Sequence, residues 1–430
     1  MVSWSLPARV AFRFAFVFLL LHAAPWGWFD AVPGVASIGG VIDSGIDHAV
    51  RWSNASVFHV RDTLVPVNGS GDTSWGWARL WLYLSVAGIA TVIWSVVDRE
   101  RTAYPVALWW MRTTLRYYLA LFALSYGIIK LFLLQMGFPT QSQMATPLGD
   151  FLPMRFSWMF IGYSAPYQFF SGAVETLAGL LLLWRPTVTL GLLTAVGAFA
   201  NVVMINLAYD VPVKLFASQL LLTSVVLLAL DARRLLDFLV FNRGAPATRA
   251  WDLPYSSARF TWSARAVKLL FFVCAFVLPM QRGWQGFKNS RLPANPVPFS
   301  VGMYDVPTFV RGRDTIPLTL HDTLRWRDVA IDNTSGGSVG STDPSFWQRY
   351  RRGYFRFRAD TAARTLAVWR SSWTFDSTHI FTARYEVPTP GTVHLRTMVA
   401  GESLFVELRK STRHYQLSER QFHWLSEYNR

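Results

Sequence analysis

Two charged side chains stand in stretches that are otherwise apolar. Lys130 closes Ser125-Tyr126-Gly127-Ile128-Ile129-Lys130, and Glu175 sits inside Ala173-Val174-Glu175-Thr176-Leu177-Ala178-Gly179. An ionised group in hydrocarbon costs several kcal/mol, so such residues face one another or a wet cavity. Asn201 and Asn206 follow in the next apolar segment, and Asp210 with Lys214 bracket the turn into the one after it. At 1.5 Å rise per residue all of these fall at similar depth, in the outer half of a bilayer. Opposite charges there can pair, and the pair could bind a polar headgroup, a proton or a small anion. Tyr126 and Tyr163 are candidates to line the cavity. The competing reading is a salt bridge that pins helix packing.

Other chemistries find little support. The single cysteine, Cys274, leaves no intramolecular disulfide, dithiol relay or cysteine-ligated cluster. Of eight histidines only His22 lies in an apolar run, so no histidine pair clamps a haem between helices, and no spacing suggests zinc or another metal. Phosphate-binding glycine loops and nucleotide fingerprints are absent from the sequence. The net charge of +15 comes mostly from Arg in loops and in the C-terminal region, which does not call for nucleic acid. Arg349-Tyr350-Arg351-Arg352, continuing to Arg356 and Arg358, reads either as a surface for anionic lipid headgroups or as a solvated strand face. Asp72, in Gly69-Ser70-Gly71-Asp72-Thr73, reads as a turn residue or a cap for the following span, with a pocket-facing role as the alternative.

The elements that position these residues are mainly apolar runs of roughly 20 residues, the length of a membrane-spanning helix. More than half of the residues are hydrophobic, with 20 Trp and 32 Phe. About seven spans are expected, at Arg9–Phe29, Trp77–Val97, and about 115–135, 162–184, 187–208, 212–230 and 266–281. Residues 30–76 read as a long polar loop. Basic residues concentrate at 98–116, 185–186 and 231–268, with Arg9 and Arg13 ahead of the first span. That asymmetry predicts a cytoplasmic N-terminus and an extracytoplasmic C-terminus. From about Pro296 the pattern changes to period-two alternation, as in Tyr354-Phe355-Arg356-Phe357-Arg358 and Leu404-Phe405-Val406-Glu407-Leu408, which predicts an antiparallel sheet or small barrel. The expected organisation is thus two spans with a long loop over 1–111, a four-helix bundle over 112–240, a connection and seventh span over 241–295, and a β-rich domain over 296–430.

Between Tyr117 and Leu239 the sequence resembles DoxX-like membrane proteins. The resemblance rests on Ser125 to Lys130, Gly162-Tyr163-Ser164, Val174 to Leu182, Asn201-Val202-Val203-Met204-Ile205-Asn206, Tyr209-Asp210-Val211-Pro212-Val213-Lys214 and Asp231-Ala232-Arg233-Arg234. The first two spans, the glycine-rich turn and the terminal Phe422-His423-Trp424-Leu425-Ser426-Glu427-Tyr428 resemble a longer bacterial subgroup. That resemblance implies a four-helix unit in a bacterial inner membrane, with some relatives associated with quinone-linked sulfur oxidation or thiol and oxidative-stress systems. It carries over no catalytic residues. With a lone apolar cysteine, a redox role would act through a quinone or a membrane or periplasmic partner. The function expected is a polar ligand pocket open to the outer face; the alternatives are a small-molecule or lipid transporter, and a scaffold presenting the β domain to a partner.

Overall fold

The computed structural model describes residues 3–31, 36–245, 251–252, 257–290, 298–319, 324–371, 378–399, 401–420 and 425. The terminal Phe-His-Trp run lies outside them. The chain divides into two units, one formed by Met1–Met136 with Phe156–Ser290, the other by Gly137–Arg155 with Arg291–Arg430.

The first unit is helical. In chain order its helices are α1 (Leu6–Ala23), α2 (Ala36–Ser53), α3 (Ser74–Val97) and α4 (Pro105–Leu131). After the short α5 (Gln141–Met144) of the second unit come α6 (Pro153–Tyr163), α7 (Ala165–Leu183), α8 (Val188–Ala208), α9 (Lys214–Ala229) and α10 (Ala232–Leu239). Finally α11 (Ala258–Phe272) continues through a π-turn into α12 (Leu278–Asn289). Starts follow side-chain capping chemistry: Thr73 accepts from the Gly76 amide at 3.3 Å, and Ser164 from the Tyr167 amide at 3.3 Å. Among the described residues, four helical stretches are long and apolar enough to cross a membrane, Leu6–Trp28, Ser74–Val97, Arg185–Ala208 and Ala258–Asn289. A fifth is reached if α9 and α10, bent by 73°, count as one. Helices α4 and α7, expected to be spans, fall outside this set. They carry Arg112, Arg116 and Lys130, and Gln168 and Glu175, and they supply much of the core, with Leu115, Leu119, Ala123, Leu124, Ala178 and Leu182 fully buried.

Two expectations need correction. Residues 30–76 are not a plain loop, because α2 occupies 18 of them. Ile42, Ile46 and Val50 recur at helical spacing beside Asp43, Asp47 and Arg51, and Gly40 and Gly45 hide that period. The helix is tied down where Trp26 donates to Asp43 at 2.9 Å and Trp75 to Asp47 at 2.7 Å. Arg13 is not ahead of the first span but inside α1, 1% exposed. Its guanidinium donates to the Tyr104 hydroxyl at 2.6 Å, Ser95 Oγ at 2.8 Å and the Asp98 carbonyl at 3.1 Å. A buried charge is tolerated when its donors are matched in this way.

The second unit is an antiparallel β-barrel. Its strands are β1 (Gly302–Asp305), β2 (Phe309–Arg311), β3 (Asp314–Thr315), β4 (Asp328–Asn333), β5 (Gly336–Val339), β6 (Trp347–Arg349), β7 (Arg352–Asp360), β8 (Thr365–Arg370), β9 (His379–Thr389), β10 (Thr392–Val399) and β11 (Glu402–Lys410). The order β1-β4-β5-β7-β8-β9-β10-β11 closes on itself because β1 also pairs β11, with Tyr304 opposite Lys410. Alternation sends Phe355, Phe357, Leu366, Val368, Phe381, Leu395, Val406 and Leu408 inward. The turn between β7 and β8 is built by Asp360, whose Oδ1 accepts from the Ala362 and Ala363 amides at 2.9 Å each.

Residues 137–155 belong to this unit through a buried polar chain. Arg352, 4% exposed, donates to Asp328 at 2.5 Å and to Ser338 Oγ at 2.8 Å. Ser338 donates to Ser142 Oγ at 2.7 Å, and Ser142 donates to Asp332 through its hydroxyl at 2.6 Å and its amide at 2.8 Å. Burial pushes the Asp332 carboxyl above its ordinary value of 3.8, against the opposing effect of the Ser142 hydrogen bonds. The folded unit therefore binds that proton more tightly than the unfolded chain. Its contribution to stability is fully present below 3.8 and is lost as pH rises through the raised value. Replacing Asp332 with Asn should flatten this loss, read as the pH dependence of the barrel's thermal unfolding midpoint in the full chain; an unchanged slope would remove Asp332 as its source.

Candidate ligand site at the helix crossing

Small residues bring the backbones of α4 and α7 into contact. A Cβ on Gly127 would lie 2.4 Å from Thr176 Oγ1 and 2.6 Å from its amide nitrogen. A Cβ on Gly172 would lie 2.7 Å from the Gly127 carbonyl oxygen and 2.7 Å from the Leu131 nitrogen. Only glycine fits at either point, and close approach of this kind is how helices associate where lipid gives no hydrophobic drive between them. One turn beyond each contact stand Lys130 and Glu175. The Lys130 ammonium donates to Glu175 Oε1 at 2.5 Å and to Oε2 at 2.6 Å, with the residues 6% and 3% exposed. Tyr126 lies one turn back on α4, its ring centroid 6.0 Å from Lys130 Nζ and 6.3 Å from the ring of Phe216. Thr176 Oγ1, beside the crossing, is buried and has no hydrogen-bond partner among the described residues.

The remaining candidates divide. Asp210 and Lys214 pair at 2.7 Å, and Asn206 is buried, its amide reaching the Val213 carbonyl at 3.4 Å. Asn201 is exposed on α8, and Tyr163 is 40% exposed at the end of α6. Among the described residues no hydrogen bond or ion pair links Lys130 or Glu175 to Asn206, Asp210 or Lys214. The structure thus assembles Lys130, Glu175 and Tyr126 as one group, and Asn206, Asp210 and Lys214 as a second at the α8–α9 turn.

Asp72 belongs with the second group. Its carboxylate accepts from the Lys214 amide at 2.8 Å and the Leu215 amide at 2.9 Å, and it stands 3.7 Å from Lys214 Nζ. It caps α9, not the helix that follows it in sequence, which Thr73 caps. Gln168 was missed by sequence reasoning. It is 1% exposed, and its side-chain amide exchanges two hydrogen bonds of 2.9 Å with the backbone of Met136. The available signal was its spacing, two helical turns before Glu175 on the same face of α7.

In the barrel unit, Arg352 drops out of the expected basic patch because it is buried against Asp328. Arg356 and Arg358 are exposed, and with Asp332, Tyr354 and Trp369 they line a groove of about 750 Å³. Among the described residues no group of three or more His, Cys, Asp or Glu side chains could hold a metal ion.

The chain is 33% identical over 121 residues to the uncharacterized protein YwoB of Bacillus subtilis, covering 77% of that protein and 28% of this chain. Over that stretch the chain belongs to the same family as YwoB. No family model matches the chain, and no solved structure does. YwoB bears no stated activity, so the family relation adds no chemistry to the site.

A buried pair broken on one side leaves an uncompensated charge, at a cost of about 3–5 kcal/mol, whereas replacing both partners by apolar groups of similar volume is often neutral. Lys130→Met should therefore lower the thermal midpoint of the purified chain sharply, and the double change Lys130→Met with Glu175→Met should restore most of it. A double variant no more stable than the single one would show that the two charges are not coupled.

Proposed function

We propose that this is a DoxX-like multi-pass protein of a bacterial inner membrane, and that the Lys130–Glu175 pair receives the polar head of a small quinone-like ligand. The observation that carries this reading is the pair itself: two ionisable groups held at a helix crossing, with a tyrosine ring on one side and, beside them, a threonine hydroxyl with no partner among the described residues. Ionisable residues inside membrane bundles face the interior or a wet cavity and mark substrate, ion or proton pathways. A quinone carbonyl would accept from the Lys130 ammonium, and the hydroxyl of its reduced form would donate to Glu175. Tyr126, Phe122 and Phe216, whose rings lie within 6.5 Å of one another, offer an apolar wall for the ring. Electrons would come from a partner oxidoreductase, since the chain's one cysteine supplies no dithiol.

In the same reading the chain crosses the membrane seven times, α4 and α7 joining the four apolar stretches and the α9–α10 pair. The Arg-rich connections lie in the cytoplasm and the barrel outside. A second reading, a scaffold that presents the barrel to a periplasmic partner, draws on the polar groove beside Asp332, Arg356 and Trp369.

The test uses the full chain in detergent with decylubiquinone as probe. The wild type should gain thermal stability with added quinone, and the charge-neutral double variant at Lys130 and Glu175 should gain none. A double variant stabilised as strongly as wild type, or a wild type that does not respond, would overturn the assignment.

A further inference from the structure

A second cavity in the helical unit, independent of the ion pair, has an unusual balance of donors and acceptors. It encloses about 600 Å³ between α4, the end of α7 and the start of α11. Four cations line it, Arg116, Arg185, Arg265 and Lys268, and no carboxylate does among the described residues. Arg116 is the deepest of them, 6% exposed, and its Nε donates to nothing described. The Nε of neighbouring Arg112 and the indole nitrogen of Trp109, which also lines the cavity, are likewise buried without an acceptor. Asp231, the acidic group that acts on Arg112, is already held by Arg234 and Thr189. Three buried donors with no acceptor among the described residues leave the positive charge beside the cavity uncompensated, which an anion seated among the four lining cations would offset.

Two of the four cations, Arg116 and Lys268, rest against aromatic faces of the cavity wall. Arg116 lies 4.8 Å from the ring centre of Tyr117 and 5.5 Å from that of Trp251, and Lys268 lies 5.0 Å from Trp184. Cation–π contacts fix a positive group without neutralising it, so the charge remains available to a ligand. Most of the remaining wall is apolar, and it runs on to Val267, Leu269 and Leu270, which are 62% to 64% exposed on α11. A free anion would have no use for that apolar continuation; a lipid would.

We propose that this cavity binds the phosphate headgroup of an anionic phospholipid, its acyl chains lying along the exposed face of α11. Arg116 would take the phosphate oxygens at the bottom, and Arg185 and Lys268 would close over them at the rim. The site lies among the Arg-rich connections at 98–116, 185–186 and 231–268, the side that charge asymmetry assigns to the cytoplasm, where anionic headgroups of the inner leaflet are met.

The test reconstitutes the full chain in nanodiscs of phosphatidylcholine, with or without a minor fraction of phosphatidylglycerol, and measures thermal unfolding and the lipids retained in native mass spectra. Phosphatidylglycerol should be retained and should stabilise the chain. Arg185→Gln and Lys268→Gln, both at the rim, should each weaken its retention by about 5-fold, as expected for about one kcal/mol per cation near a surface. Arg116→Gln should weaken it more, and if that variant does not fold the two rim variants decide. Equal effects of the two lipids, rim variants that bind phosphatidylglycerol as wild type does, or full stabilisation by inorganic phosphate alone would each overturn the proposal.

Discussion

The helical unit depends on one contact, the touching of two backbones at Gly127 and Gly172. Without it Lys130 and Glu175 could not reach each other across α4 and α7, and each would stand as an isolated charge among apolar side chains. With it, both oxygens of the carboxylate accept from the ammonium, and the pair is buried within the helical unit. The division of labour among the helices follows. The pair's own helices are too polar to be read as spans by composition, and they are packed in the core. The most apolar helices turn large side chains outward, such as Ile89, Val92 and Val96 on α3 and Leu190, Met204 and Leu207 on α8.

Polar groups at depth are treated in two ways in this unit. Arg13, Asp72 and Gln168 are each matched by hydroxyls or backbone groups and do structural work, closing α1 against α3 and the residue that precedes α4, capping α9 and tying the segment after α4 to α7. Among the described residues, the Nε atoms of Arg116 and Arg112 and the indole nitrogen of Trp109 lack such matching. An unmatched donor in low dielectric is a liability that a membrane protein can relieve with a lipid headgroup, whereas the matched ones need nothing from outside.

The barrel solves a different problem. Pairing of β1 with β11 removes the open edge, and the interior is filled by aromatic and branched residues. The polar chain from Asp328 through Arg352, Ser338 and Ser142 to Asp332 then recruits residues 137–155, distant in sequence, into the same unit. Buried polar chains of this type specify one arrangement because each member has a partner only when the others are in place.

Hydropathy and alternation alone determined the class: apolar helices in the first part of the chain, antiparallel strands from about residue 296, and two opposite charges whose burial demanded that they meet. These follow from local pattern, since a helix or strand writes its period into neighbouring residues. Helix α2 escaped because two glycines interrupt its apolar face, and Arg13 because a basic residue near the N-terminus reads as a flank. Only the tertiary structure decided which distant groups share a partner. That Asp72 caps α9, that Asn201 turns outward while Asn206 is buried, that Arg352 leaves its neighbours to pair with Asp328, and that four cations gather around one cavity all depend on how helices cross and strands pair. Those geometries bring together residues tens to hundreds of positions apart, and spacing along the chain carries no record of them.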